Sequence, residues 1–129
     1  MLAPRILVLD DEPIIRMSLA AYLEDEGYQV LEAATAEHAL QLLDQHDIAL
    51  AIVDIRLPGI DGAEFIRYAC NKDAALKFII HTGSMEFRLD ESLRRLGLRT
   101  SDIFCKPVKD LSGLAASIGQ RLVYNVQFA

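Results

Sequence analysis

Four apolar, strand-like runs of this chain are each followed directly by polar residues that can take part in chemistry. These residues are Asp10 and Asp11 after the first run, Asp54 after the second, Thr82 after the third and Lys106 after the fourth. In an open parallel sheet, ligands collect at the edge where the carboxyl ends of the strands meet. If the four runs are parallel neighbours, their carboxylates, hydroxyl and ammonium share one pocket. That combination predicts a site for a divalent cation and a phosphoryl group.

The three carboxylates of this pocket require a compensating charge. Two like charges about 4 Å apart repel by about 4 kcal/mol at an effective dielectric constant near 20. Such a cluster is stable only when it is protonated, paired with a base or bound to a cation. Oxygen ligands suit Mg²⁺ or Mn²⁺ and do not suit zinc. We therefore expect Mg²⁺, with Mn²⁺ as an alternative, bound directly by Asp11 and through water by Asp10, beside Asp54.

Phosphoryl transfer mainly requires in-line positioning and charge neutralisation, and a carboxylate can serve as the nucleophile that forms an acyl phosphate. Asp54 is the candidate nucleophile, because Asp10 and Asp11 form the metal-holding pair. Thr82 and Lys106 would each donate to a phosphoryl oxygen, and Gly83 would leave space beside the acyl phosphate. Taken singly, each residue except Asp54 is better explained as structural, for example as a helix cap or a turn residue. The combined spacing favours the site.

Strand and helix patterns alternate five times along the chain. The strands are expected to follow the runs at Ile6–Leu9, Gln29–Ala33, Ile48–Val53, Lys77–His81 and Ile103–Cys105. Pro13, Thr35 and Asp61 are expected near helix starts, Gly27 at a helix end, and Leu89, Leu93 and Leu96 on the fourth helix. Alternation with uninterrupted apolar strands predicts an α/β fold with a parallel sheet covered on both faces. The favoured topology is a doubly wound, flavodoxin-like five-stranded sheet in the order 2-1-3-4-5, as one domain over residues 1–129.

Composition narrows the class of protein. The chain has 129 residues, 52% of them hydrophobic, and a formal net charge of −6. This acidic balance argues against nonspecific binding of nucleic acid or of anionic membranes, and no apolar stretch is long enough to span a membrane. Cys70 and Cys105 have no metal-binding spacing, so both are expected to be buried, reduced thiols. A cytoplasmic location is expected.

The motifs together resemble the receiver domain of two-component response regulators. The matching segments are Leu7–Glu12, Asp54–Gly62, Thr82–Gly83 and Lys106–Pro107. The resemblance implies that Asp54 accepts a phosphoryl group from a phosphohistidine on a histidine kinase or a histidine phosphotransfer protein, with Mg²⁺ required. It also implies that the backbone carbonyl of Arg56 is a further metal ligand and that the Lys106–Pro107 bond is cis. The domain would then be a signalling switch that catalyses its own phosphorylation and dephosphorylation, rather than a metabolic enzyme.

One position departs from the pattern of this family. Receivers usually carry Tyr or Phe three residues before the lysine, where this chain has Ile103, and Phe104 should point to the opposite side of the strand. The departure leaves open a degenerate receiver that acts only as a binding module. A third hypothesis is an aspartyl-phosphate hydrolase of the haloacid-dehalogenase type, but those enzymes typically have Asp where this chain has Arg56.

A downstream protein partner is expected on the face made by the fourth helix, the fifth strand and the fifth helix. Positive charge on this face would come from Arg94, Arg95, Arg99 and Lys109.

Overall fold

The structure is a computed structural model that describes residues 3–108 and 110–127, with side chains described as far as Leu122. The five strands are β1 (Arg5–Leu9), β2 (Gln29–Ala33), β3 (Leu50–Val53), β4 (Lys77–Thr82) and β5 (Ile103–Cys105). The five α-helices are α1 (Pro13–Asp25), α2 (Ala36–Gln45), α3 (Gly62–Lys72), α4 (Glu91–Arg95) and α5 (Leu111–Gln127). A short 3₁₀ helix, Thr100–Asp102, leads into β5. Lys109, which was expected on the partner face, lies outside the described residues.

The strands form one parallel sheet in the order β2-β1-β3-β4-β5, which confirms the predicted topology. Leu9 is paired with Ala33 on one side and with Val53 on the other. Val53 is paired with Ile80, and Thr82 with Cys105. The register therefore brings the carboxyl ends of β1, β3, β4 and β5 to one edge, with the change of strand order between β1 and β3.

Each face of the sheet carries its own apolar core. Side chains alternate between the two faces of a strand, so Leu7 and Leu9 pack on one side, whereas Ile6 and Val8 pack on the other. The first core includes Phe65 of α3, and the second is covered by α1 and α5. Burial on both faces explains why the central strands read as continuous apolar runs.

Local signals in the sequence set several helix ends as predicted. Pro13 is the first residue of α1, and Gly27 follows that helix at a φ of 98°, where residues other than glycine are strained. The hydroxyl oxygen of Thr35 accepts a hydrogen bond from the backbone amide of His38 at 3.1 Å. The carboxylate of Asp61 accepts one from the amide of Glu64 at 2.9 Å. Both contacts satisfy amides that would otherwise lack a partner in the first turn.

Three local expectations were wrong. β3 begins at Leu50 rather than at Ile48, and α4 is limited to Glu91–Arg95. Asp90 caps α4 through the amide of Leu93, so Leu89 is buried ahead of the helix rather than within it. Cys105 is exposed, because it is the last residue of an edge strand, and Cys70 is only partly buried. Both cysteines are free thiols.

Among the described residues, we find no helix long and apolar enough to cross a membrane.

Candidate functional site

The candidate site lies at the carboxyl edge of the sheet, where backbone hydrogen bonds continue beyond the strands. The amide of Asp10 donates to the carbonyl of Ala33 at 3.0 Å, and the amide of Asp54 donates to the carbonyl of Leu9 at 2.9 Å. The amide of Lys106 donates to the carbonyl of Thr82 at 2.8 Å. The backbones of Asp10, Asp54 and Lys106 are therefore held in place by hydrogen bonds to the neighbouring strands.

Lys106 holds the acidic side chains together. Its ammonium nitrogen lies 2.9 Å from Asp10 Oδ2, 3.2 Å from Asp54 Oδ2 and 3.3 Å from Glu12 Oε1. Burial alone would lower the pKa of Lys106, but the hydrogen bond that its ammonium donates to Asp10 and the charges of Asp10 and Asp54 raise this pKa above its ordinary value. The ammonium therefore stays charged at neutral pH and offsets part of the negative charge in the pocket.

The surroundings of Asp54 shift the pKa of its carboxyl group. Burial raises its pKa to about 6; the charge of Lys106 opposes this effect and the charge of Asp10 adds to it. Its Oδ1 accepts a hydrogen bond from the amide of Arg56 at 3.3 Å, and its Oδ2 faces Lys106. Only 4% of the residue is exposed. A buried carboxylate with few partners is favoured in its ionised form by a further cation nearby.

The acidic side chains are close enough to share a metal ion. Ligand oxygens of Asp10, Asp11, Glu12 and Asp54 all lie within 4.8 Å of one another. Oxygen-only donors with two exposed members leave room for water, which suits Mg²⁺ or Mn²⁺. The donor set therefore fits the cation that was expected from the sequence.

Glu12 is a member of this cluster to which sequence analysis gave no role. It is the N-cap residue of α1 but makes no side-chain cap, and its carboxylate turns toward Lys106 instead. Its amide donates to Asp10 Oδ1 at 2.9 Å, which fixes the orientation of the Asp10 carboxylate. The run of three successive acidic residues, Asp10 to Glu12, could have indicated that Glu12 belongs to the cluster.

Thr82 and Gly83 lie at the end of β4, beside Lys106. Thr82 is fully buried, and its hydroxyl oxygen accepts a hydrogen bond from the amide of Ser84 at 3.0 Å. A Cβ placed on Gly83 would have only ordinary contact with Lys106, at 4.0 Å from Cδ, so there is free space at this position. Arg56 donates from Nη2 to Ser84 Oγ at 3.2 Å, which joins the segment after β3 to the segment after β4.

Gly62 has a structural role that the sequence did not reveal. A Cβ at this position would lie 2.1 Å from the backbone carbonyl oxygen of Asp54 and 2.8 Å from the Cα of Ile55. The amide of Gly62 donates to the carbonyl of Ile55 at 3.0 Å. The first turn of α3 thus lies directly on the backbone that carries Asp54, and only glycine permits this approach.

The end of β5 combines an unusual residue with a special peptide bond. Ile103 is partly buried against the core that contains Phe65, whereas Phe104 packs into the opposite core. No aromatic ring therefore occupies the position of Ile103. The Lys106–Pro107 peptide bond is cis, the geometry that the resemblance led us to expect.

Comparisons with known proteins agree with this geometry. The sequence profile of the response regulator receiver domain matches residues 6–118. The response regulator GtcR of Aneurinibacillus migulanus is 36% identical over 110 residues, which cover 85% of this chain and 44% of GtcR. Sporulation initiation phosphotransferase F of Bacillus subtilis is 32% identical over 107 residues, covering 83% of this chain and 85% of that protein.

A solved structure is similar over most of the chain. The response regulator TrrA of Thermotoga maritima, crystallised in complex with Mg²⁺ and BeF, superposes with a TM-score of 0.79 at 31% identity. The similarity covers 92% of this chain and 98% of TrrA. By contrast, this chain spans less than half of the length of GtcR.

Proposed function

Because this chain belongs to the response regulator receiver domain family, we propose that Asp54 accepts a phosphoryl group from a phosphohistidine of a partner protein. A carboxylate oxygen of Asp54 forms the new bond to phosphorus, and the bond between phosphorus and the imidazole nitrogen of the donor breaks. The single observation that carries this proposal is the position of Asp54. It is a buried carboxylate at the change of strand order, within hydrogen-bonding distance of Lys106 and inside an acidic cluster.

The residues around Asp54 would bind the oxygens of the transferred phosphoryl group. Lys106 already donates a hydrogen bond to Asp54, and its ammonium would bind a phosphoryl oxygen once the acyl phosphate forms. Thr82 would exchange its hydrogen bond from the Ser84 amide for one that it donates to a second phosphoryl oxygen. The space beside Gly83 accommodates the group. These donors neutralise charge on the transferred group, which is most of what this reaction requires of a protein.

We assign the metal site to Asp10, Asp11, Asp54 and the backbone carbonyl of Arg56, with Glu12 at its rim. Mg²⁺, or Mn²⁺ in its place, would neutralise the carboxylates and the developing charge on the phosphoryl oxygens. The TrrA complex with Mg²⁺ and BeF supports this assignment at the level of the family. Asp11 is exposed, so it can bind the ion directly, whereas buried Asp10 is already engaged by Lys106 and the Glu12 amide.

The biological role that follows is that of a switch. The donor would be a histidine kinase or a histidine phosphotransfer protein, and the response would be altered binding of a downstream protein at the face of α4, β5 and α5. Arg94, Arg95 and Arg99 are exposed there. The domain would act on its own phosphorylation state and not on a metabolite. A single receiver domain over residues 1–129 and a cytoplasmic location belong to the same proposal.

The two alternative functions are less well supported. An aspartyl-phosphate hydrolase would use an acidic residue two positions after the nucleophile, and Arg56 occupies that position with its side chain on Ser84. A degenerate binding module would not require Asp54, Lys106 and the acidic cluster to converge as closely as they do.

Labelling with a small phosphodonor tests the proposal. The wild-type chain is incubated with acetyl phosphate or phosphoramidate, with Mg²⁺ or with EDTA, and acid-labile phosphate is detected by intact mass. We expect labelling only with Mg²⁺, and none in Asp54→Asn, since an amide is a very poor nucleophile. Asp44→Asn is the matched control, because Asp44 is an exposed residue of α2 whose carboxylate pairs with Lys72 of α3. Robust labelling of Asp54→Asn would show that another residue is the acceptor.

A metal titration separates the roles of the carboxylates. We expect Asp11→Ala to weaken Mg²⁺ binding strongly, because it removes a direct ligand, and Glu12→Gln to weaken it less, because Glu12 contributes at the rim. Isothermal titration of the unphosphorylated protein measures both. Unchanged Mg²⁺ affinity in Asp11→Ala would overturn the metal assignment.

A further inference from the structure

Arg16 connects an edge strand of the sheet to the backbone of the acidic pocket. It lies near the start of α1, and only 16% of its side chain is exposed. Its Nε lies 3.2 Å from Oε1 of Glu32 on β2, and its Nη1 donates a hydrogen bond to the backbone carbonyl oxygen of Asp10 at 2.8 Å. The guanidinium is therefore held between β2 and the residue that follows β1.

The carbonyl of Asp10 depends on Arg16 for its hydrogen bond. Asp10 lies one residue beyond β1, where the regular pairing of the sheet ends. Among the backbone hydrogen bonds of residues 3–108 and 110–127, none is donated to this carbonyl. Arg16 takes the place of a backbone donor, and a hydrogen bond from a charged donor is roughly twice as strong as one between neutral groups.

This hydrogen bond also restrains Asp11. The carbonyl of Asp10 and the amide of Asp11 belong to one planar peptide, so fixing the carbonyl fixes the plane from which the Asp11 side chain leaves the backbone. Asp11 needs this restraint more than its neighbours do. Its side chain is exposed, whereas the carboxylates of Asp10 and Asp54 are already held by Lys106.

The position and the charge of Arg16 act on a cation in opposite directions. A positive charge near the site repels a cation, so the charge alone would weaken Mg²⁺ binding. The carboxylate of Glu32 pairs with Arg16 and offsets this charge. Groups that orient metal ligands typically contribute about tenfold to hundredfold to metal affinity. The effect of position is therefore expected to exceed the effect of charge.

We propose that Arg16 is a positioning residue for the metal site. By binding the carbonyl of Asp10, it directs the carboxylate of Asp11 toward Mg²⁺, and Glu32 holds the guanidinium in place for this role. The inference rests on the metal site proposed above, but it does not require Asp54 to be the phosphoryl acceptor.

Isothermal titration of the unphosphorylated, folded protein with Mg²⁺ tests this role. We expect Arg16→Met, which keeps an unbranched side chain without donors, to bind Mg²⁺ about tenfold more weakly than the wild type. Arg16→Lys should recover part of the affinity, because its ammonium can donate to the same carbonyl. A role through charge alone predicts the reverse, with Arg16→Met binding Mg²⁺ most tightly. Mg²⁺ binding in Arg16→Met that is equal to or tighter than in the wild type would overturn the proposal. Arg16→Gln provides the same comparison if Arg16→Met does not fold.

Arg5→Met is the matched control. Arg5 donates to the backbone carbonyl of Asp47 at 3.3 Å and to Oε1 of Gln29 on β2 at 3.2 Å, at the opposite end of β1. The control removes the same charge and a similar pair of contacts away from the acidic pocket. Its Mg²⁺ affinity should therefore equal that of the wild type.

The ¹³C chemical shift of the Asp10 carbonyl provides a second measurement, made without metal. Loss of the donor should move this signal upfield in Arg16→Met, while Arg5→Met should leave it in place. An unchanged signal in Arg16→Met would show that the carbonyl does not depend on Arg16, and it would also overturn the proposal.

Asp11→Ala distinguishes a failure of this inference from a failure of the proposed metal site. If Asp11→Ala binds Mg²⁺ as the wild type does, the metal site is wrong and the role of Arg16 is wrong with it. If Asp11→Ala weakens Mg²⁺ binding and Arg16→Met does not, only the role of Arg16 is wrong.

Discussion

The side chains of Arg56 and Ser84 are joined by a hydrogen bond of 3.2 Å that connects the segment after β3 to the segment after β4. Each lies two residues beyond a residue of the proposed reaction, Asp54 in one case and Thr82 in the other. The contact ties the exposed side chain of Arg56 to the segment after Thr82, and we infer that the guanidinium limits the approach of water to Asp54. Ser84 offers no carboxylate or amide that could orient an attacking water molecule.

We therefore predict that the acyl phosphate of this domain is long-lived and that Arg56 protects it. Arg56→Ala should hydrolyse faster by up to about tenfold, which corresponds to about 1.4 kcal/mol in the barrier. Ser84→Ala should have a smaller effect in the same direction, because it frees the guanidinium without removing it. Loss of label after removal of the phosphodonor gives the rates. Arg67→Ala, on α3, serves as the control. An equal or slower rate in Arg56→Ala would exclude shielding.

Gly62 is predicted to be the glycine whose replacement costs most. A Cβ 2.1 Å from the Asp54 carbonyl oxygen must displace the backbone of the acceptor itself. Overpacking of this kind costs about 1–3 kcal/mol and occasionally more. We expect Gly62→Ala to lower the free energy of unfolding by at least about 2 kcal/mol and to reduce labelling of Asp54.

The matched control for Gly62 is Gly119→Ala on α5. There a Cβ would meet the hydroxyl oxygen of Tyr28 at 3.8 Å, which is ordinary contact. Alanine is the better helix former by up to about 1 kcal/mol, so this variant should be neutral or more stable. Urea unfolding measures both variants, and equal stabilities would contradict the close approach at Gly62.

The sequence allowed the sheet order and the edge that carries the site to be predicted, for a physical reason. The central strands are uninterrupted apolar runs, and a polar residue directly after such a run must lie at the sheet edge. The requirement for glycine at position 62 could not be predicted, because it comes from the close approach of the α3 backbone to the backbone of Asp54, which no side-chain pattern in the sequence indicates. Glu12 was missed because the direction of an exposed side chain is set by a tertiary partner, Lys106. The start of α4 was misplaced because Leu89 is buried before the helix begins.

The charge of Asp54 should destabilise the metal-free fold at neutral pH. The pKa of Asp54 is raised to about 6 in the folded protein, above the value of about 3.9 expected in the unfolded chain. The folded state therefore holds this proton more tightly, and stability is lost as pH rises from about 4 through about 6. Asp54→Asn removes this loss, so it should be more stable than the wild type by about 1–3 kcal/mol above pH 7 and by little near pH 4.

Urea unfolding in EDTA at pH 4.5 and pH 7.5 measures this difference, with Asp44→Asn as the exposed control. A gain of the same size at both pH values would show that the carboxyl of Asp54 does not titrate in this range. Added Mg²⁺ should reduce the gain at pH 7.5, since the cation stabilises the ionised wild-type cluster.

The last prediction concerns how phosphorylation reaches the partner face. The Thr82 hydroxyl accepts from the amide of Ser84, and the carbonyl of Ser84 accepts in turn from the amide of Phe87 at 3.4 Å. If Thr82 turns to a phosphoryl oxygen, the first of these bonds is lost and the segment before α4 is released. Because Ile103 provides no aromatic ring to follow this movement, the coupling should lie at the weak end of the usual range of about 1–3 kcal/mol.

Amide shifts of the Mg²⁺-bound protein, with and without beryllofluoride, test this route. We expect changes at the pocket and, more weakly, through residues 86–108. Thr82→Ser keeps the hydroxyl and should preserve both sets of changes, whereas Thr82→Ala should preserve those at the pocket and lose those beyond it. Beryllofluoride can shift the conformational equilibrium only through its different affinity for the two states. In Thr82→Ala the hydroxyl that would bind the mimic in one state is missing, so we expect no change at α4. Changes confined to the Asp54 pocket in the wild-type protein would therefore mean that the partner face is not controlled from this site.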